Sequence, residues 1–158
     1  MNEISSENLS LLESRYRTTA IIILAQIVFT IILTVAVWLF APTNFKSISQ
    51  QTLTTLWVVI IFLAVGAFLL RRVFFRWDRF KDIVLLQGVS ELLKTLQNNA
   101  IILAVFATLL PIVGGTITVL SGSTFEIIRA EIVALIVFLI NFPRRSVWKK
   151  IVAATEKI

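Results

Sequence analysis

The sequence predicts an all-α integral membrane protein with four transmembrane helices, in two hairpins, joined by an amphipathic cytoplasmic helical connection. Three observations lead there. The 158 residues are 58% hydrophobic and only 15% charged, with a mean hydropathy of +0.92, a balance outside that of soluble domains. The apolar residues gather into runs of about the length a bilayer requires. Lysines and arginines gather on one side of those runs.

Residues 20–40 form an uncharged run of about 21 positions, which as a helix at about 1.5 Å per residue covers a hydrocarbon core of about 30 Å. Ahead of it, Ser10 and Glu13 have the Ser-x-x-Glu spacing of a capping box, so a helix is expected to start there and continue through Tyr16 into the run. Glu3, Glu7 and Glu13 in the leading segment, with the length of the run, favour a retained anchor over a cleaved signal peptide. Residues 53–70 give a second run of about 18, closed by Arg71 and Arg72. Residues 100–120 give a third, in which Pro111, followed by Gly114 and Gly115, predicts a kink. The fourth is short: residues 132–142 amount to about 16 Å of helix. A crossing there must take in Glu126, Arg129 and Glu131; the alternative is a re-entrant segment or one buried against partner protein.

Orientation follows from the basic residues, which short cytoplasmic loops retain. Arg15 and Arg17 precede the first run, six lysines and arginines lie between the second and third, and Arg144, Arg145, Lys149, Lys150 and Lys157 follow the fourth. Only Lys46 falls in an outer loop, so both termini are expected in the cytoplasm, with the cell (inner) membrane as the location. The net charge of +6 then needs no nucleic acid, since topology and anionic headgroups account for it. The chain divides into a cytoplasmic N-terminal segment (1–18), a first transmembrane hairpin (19–70), a cytoplasmic amphipathic segment (71–99), a second hairpin (100–142) and an amphipathic tail (143–158). The similarity of residues 19–25 to 99–104, and of Arg71-Arg72 to Arg144-Arg145, is compatible with two parallel two-helix repeats.

In segment 71–99, Val73, Trp77, Phe80 and Val84, then Leu85, Val89, Leu92 and Leu96, recur at helical spacing. One amphipathic helix, or two meeting near Gly88, is expected. It would lie in the headgroup layer or extend the flanking spans as a hairpin turning at Gln87 and Gly88. Arg71, Arg72, Arg76, Arg79 and Lys81 are its candidate headgroup-binding residues. In the tail, Trp148 reads as an interface anchor.

Small and hydroxyl-bearing residues mark helix contacts in lipid. Gln26, Thr30 and Thr34 share one face of the first span, and Ala104, Thr108, Pro111 and Gly115 belong to a small-residue stripe on the third; these are the candidate helix-packing residues. Glu126 and Arg129, three apart, can pair. Glu131 points elsewhere on the helix, and such a carboxyl must be neutral, face a polar cavity, or bond groups such as Gln26 or Thr118 on another helix.

The chain has no histidine and no cysteine, which removes the usual transition-metal ligands, Cys or His nucleophiles and disulfides. No nucleotide-binding loop is present. No cofactor and no enzymatic activity are expected. The expected role is an accessory, assembly or structural subunit of a larger membrane complex or a homo-oligomer, with lipid and other membrane subunits, or itself, as partners. The alternative is a proton- or cation-conducting subunit built on Glu131.

Overall fold

The computed structural model describes residues 5–41 and 48–155, which are helical almost throughout, with no strand among them. Lys46, Lys157 and Ile158 lie outside the described residues. Five helices follow in order: α1 (Ser6–Phe40), α2 (Gln50–Phe74), α3 (Trp77–Ser121), α4 (Phe125–Asn141) and α5 (Arg145–Thr155). The first three are long and apolar enough to cross a membrane. The fourth has 17 residues, about 25 Å of helix, because it takes in Glu126, Arg129 and Glu131 as its shortness required.

α1 starts earlier than expected. Ser5 is its cap, accepting from the Asn8 amide at 3.2 Å, whereas the Ser10 hydroxyl donates back to the Glu7 carbonyl within the helix. A hydroxyl at the first available turn satisfies the orphan amides, and the later Ser-x-x-Glu then simply continues the helix. α3 keeps helical dihedrals through Pro111; its departure from helix is at Gly88, with φ 81° and ψ 176°. That backbone region is essentially reserved for glycine. The amphipathic segment is therefore two helical pieces meeting at Gly88, preceded by a short break at Phe75 and Arg76 that ends α2.

α3 is the hub. α1, α2 and α4 all pack on it, and α1 and α2 also touch α4, but α1 and α2 do not pack on each other among the described residues. α1 and α2 thus flank the α3–α4 pair. The upper core is made of Ile23 from α1, Ile60 and Ala67 from α2, Ala100, Ala104, Ala107, Leu110 and Ile117 from α3, and Ala130, Ala134, Val137 and Phe138 from α4. α1 has 35 residues and the part of α3 beyond Gly88 runs to Ser121, so each is about 50 Å long and overruns a hydrocarbon core by about 20 Å. On these overhanging ends sits a second core: Leu12, Phe80, Leu92, Leu93, Leu96, Trp148, Ile151 and Val152.

That second core corrects one expectation. Trp148 is 1% exposed and meets the Tyr16 ring edge-on, with centroids 5.8 Å apart. It is a core residue of the terminal layer, not an interface anchor, because α5 folds back onto α1 and α3. Glu13 pairs with Arg145 and, at 4.0 Å, with Lys149 to hold the same junction.

Helix ends are closed by neighbours. Gly122, with φ 71°, caps α3 and donates to the Thr118 carbonyl at 2.9 Å. Asn99 Nδ2 donates to the Phe74 carbonyl at 3.3 Å at the end of α2. Arg71 donates to the Ile140 carbonyl near the end of α4, a cation at the negative end of a helix.

A methyl group added at Gly88 or at Gly66 meets nothing within 4 Å, yet the two sites differ in backbone. Gly88→Ala is expected to destabilise the protein by about 1–3 kcal/mol through dihedral strain alone. Gly66→Ala, inside a regular helix, is expected to be neutral or to stabilise by up to about 1 kcal/mol. Thermal unfolding followed by circular dichroism in detergent measures both.

Candidate functional site

α4 carries two carboxyls, Glu126 and Glu131, into the bundle, and the approach of α3 determines where they stand. A Cβ built on Gly114 would lie 2.3 Å from Ala130 Cβ, so only glycine lets the two helices come this close. At the start of α4 the Ile127 amide, unpaired within its own first turn, donates to Thr118 Oγ1 of α3 at 3.0 Å. Glycine at one contact and a hydroxyl at the next fix both the spacing and the register of α4.

That register turns Glu131 toward α1. The Thr30 hydroxyl lies 3.0 Å from its Oε1 and the Thr34 hydroxyl donates to its Oε2 at 3.2 Å. Thr30 Oγ1 is also 2.9 Å from the Ile27 carbonyl, so its one proton is shared between two acceptors. Glu131 is 6% exposed, and no lysine or arginine among the described residues pairs with it. Thr30 is the central residue of the run 20–40, so the carboxyl stands near the middle of α1's apolar length. The partners differ from Gln26 and Thr118: Gln26 Oε1 is buried without a hydrogen bond, and the Thr118 oxygen is engaged at the start of α4.

Glu126 and Arg129 do pair, at 3.2 Å. The carboxylate is buried while the guanidinium is largely exposed, and the second carboxylate oxygen accepts from Trp57 Nε1 of α2 at 2.8 Å. Trp57 was not evident as a partner from its own segment. The available signal was an indole N–H inside an apolar run, a group that needs an acceptor when buried.

The packing candidates fall as follows. Thr30, Ala104, Pro111 and Gly115 are buried; Thr108 is half-buried and donates to the Ala104 carbonyl of its own helix at 3.0 Å. Of the basic candidates, Arg71 closes α4, Arg79 lies over the Phe74 ring and Lys81 over the Trp77 ring, each cation about 6 Å from the ring centroid. Arg72 and Arg76 are exposed. On the surface of the terminal layer Leu86 is 83% exposed, while Phe80, Leu92, Leu93 and Leu96 are enclosed by protein.

The described residues define an all-α chain with three helices fit to cross a bilayer and a carboxyl enclosed between its first and fourth helices. No family model, no curated protein and no solved structure matches this chain. Among the described residues no group of three acidic, His or Cys side chains is placed to hold a metal ion.

If the two threonine hydroxyls hold Glu131, their effects are coupled. Thr30→Val and Thr34→Val are each expected to destabilise by about 1–3 kcal/mol, the cost of leaving a buried acceptor short of a donor. In a Glu131→Leu background the same changes should cost about 1 kcal/mol or less. A double-mutant cycle on unfolding in detergent reads the difference as an interaction energy.

Proposed function

We propose that this chain is a small non-catalytic membrane protein whose helices α1 to α4 cross the bilayer, with both termini in the cytoplasm, and that it serves as an accessory, assembly or structural subunit. Its partner is either a larger membrane complex or further copies of itself. The observation that carries this reading is the disposition of apolar surface. The most apolar stretches of α1 and α2 are each only 11% buried inside the chain, against 50% for α3. Phe29, Ile32, Leu39 and Phe62, among others, face outward, a surface that water disfavours and that hydrocarbon or other helices accept.

Lipid alone satisfies such a surface, but its shape favours helices as well. An apolar groove of about 400 Å³ runs between α1 and α3, lined by residues such as Phe29, Leu33, Val37, Ile112 and Thr116. Its lining of large apolar side chains fits the apolar face of another helix as readily as an acyl chain. Apart from Arg129, the described basic residues lie with the terminal layer at one end of the bundle, which supports the cytoplasmic assignment of both termini.

The chain is expected in the membrane fraction, resistant to alkaline extraction. Its native mass in mild detergent should exceed that of one 17.8 kDa chain, with stoichiometric partners or a closed homo-oligomer. A monodisperse single chain with nothing co-purifying would overturn the association reading.

A second reading, a proton- or cation-conducting subunit, draws on Glu131 near mid-length of α1, with the unpaired Gln26 one turn from Thr30. Ionisable residues at such depth serve transport in many membrane proteins. Glu131→Gln in reconstituted vesicles separates the two: unchanged ion flux removes the conducting reading, and lost flux with assembly intact removes the purely structural one.

A further inference from the structure

Where α2 and α4 end and α5 begins, the structure encloses a cavity of about 230 Å³. Arg71, Arg144 and Asn141 line it, with Trp77, Phe142 and Trp148 on its apolar wall. It lies just below the size range of pockets that hold whole drug-sized ligands, and suits one compact polar group. No carboxylate lines it, and neither arginine is in an ion pair among the described residues. Arg71 uses one N–H on the Ile140 carbonyl, which leaves most of its guanidinium donors free. Arg144 is exposed and immediately precedes the first turn of α5, the positive end of that helix.

Asn141 adds a second and independent requirement. Its Nδ2 donates to the Val137 carbonyl at 2.9 Å, which fixes the orientation of the amide. Its Oδ1 then faces no donor among the described residues, although the side chain is buried, with the residue 9% exposed. A buried acceptor left unpaired is costly, and native proteins rarely keep one without a partner. Two cations beside one orphan acceptor require a ligand that is anionic and also carries a hydrogen-bond donor.

The geometry points to a site for the headgroup of an anionic phospholipid that bears free hydroxyls, phosphatidylglycerol being the simplest. The phosphate lies on Arg71 and Arg144, a headgroup hydroxyl donates to Asn141 Oδ1 once the side chains that cover this oxygen shift, and the acyl chains follow the outward apolar faces of α2 and α4 past Leu69 and Leu139. A lipid is favoured over free phosphate because the cavity opens where two apolar helices end, the level at which headgroups lie. The site uses only Arg71 of the five basic residues that the sequence marks between 71 and 81. It adds Arg144 and Asn141 from the other half of the chain.

The proposal rests on the membrane placement given above, and the two fail separately: fractionation tests the placement, and headgroup selectivity in detergent tests the cavity. Native mass spectrometry of the protein, titrated with phosphatidylglycerol, phosphatidylmethanol or phosphatidylcholine, is expected to show one phosphatidylglycerol retained in preference to either of the others. Arg144→Gln should weaken that retention about fivefold, the effect of one basic side chain at a lipid surface. Arg72→Gln, the same charge change on an exposed residue off the cavity, should leave it within about twofold. Asn141→Ala should make phosphatidylglycerol and phosphatidylmethanol, an anionic phosphodiester without a donor, bind alike. Equal retention of phosphatidylglycerol and phosphatidylcholine by the unmodified protein would overturn the site without recourse to any variant. Equal loss in Arg72→Gln and Arg144→Gln would overturn it in favour of diffuse charge attraction. Displacement of the lipid by millimolar inorganic phosphate would overturn the lipid as occupant.

Discussion

A helix that buries Glu126 and Glu131 can enter an apolar bundle only if its neighbours supply partners for those groups, and the arrangement of the other helices follows from that requirement. α1 and α2 supply partners for the two carboxyls, and α3 anchors the start of α4, while Arg129 pairs with Glu126 within α4 itself. α1 brings Thr30 and Thr34 to Glu131, α2 brings Trp57 to Glu126, and α3 brings the Thr118 oxygen to the Ile127 amide. Apolar packing between helices is nearly indifferent to rotation when lipid is the competing solvent, whereas these bonds are directional. They define which face of each helix looks inward. Gly114 against Ala130 supplies the proximity that lets bonds of about 3 Å form.

The same division of labour recurs at the other end of the molecule by different means. There the contacts are those of an ordinary soluble core: Phe80, Trp148 and a group of leucines closed off from water, with ion pairs at the rim. Segments far apart in sequence meet in it, and Arg15 of α1 donates to Gln97 of α3 at 3.0 Å along its upper edge. One chain thus combines a layer organised by a few polar bonds among apolar helices with a layer organised by burial of apolar side chains among charged ones.

The helical class and the three long apolar helices were legible in the sequence, because an uninterrupted apolar run is a local property of the chain. The stripe at Thr30 and Thr34 was legible as a face, since four-residue spacing is also local. Its partner was not: Gln26 belongs to the same stripe, and the choice of Thr30 and Thr34 for Glu131 depends on the axial register of α4, set by the contacts of Gly114 and Thr118 with α4. Trp148 was misread for a related reason. A tryptophan beside lysines near an apolar boundary has the composition of an interface anchor, and only the return of α5 onto Tyr16 encloses it. The break at Gly88 rather than at Pro111 reflects dihedrals: proline in a helix needs only one missing bond and some bending, while the backbone at Gly88 has left the helical region altogether.

The terminal layer has a consequence for the order of events during synthesis. It is assembled from the first turns of α1, the first half of α3 and the whole of α5, so it cannot close until α5 has been made. α1 to α4 precede it in the chain, and until it follows, Leu12, Phe80, Leu92 and Leu93 still await their cover. The apolar patch they form closes when Trp148 docks beside Tyr16. A chain cut short before α5 would therefore keep that apolar patch uncovered.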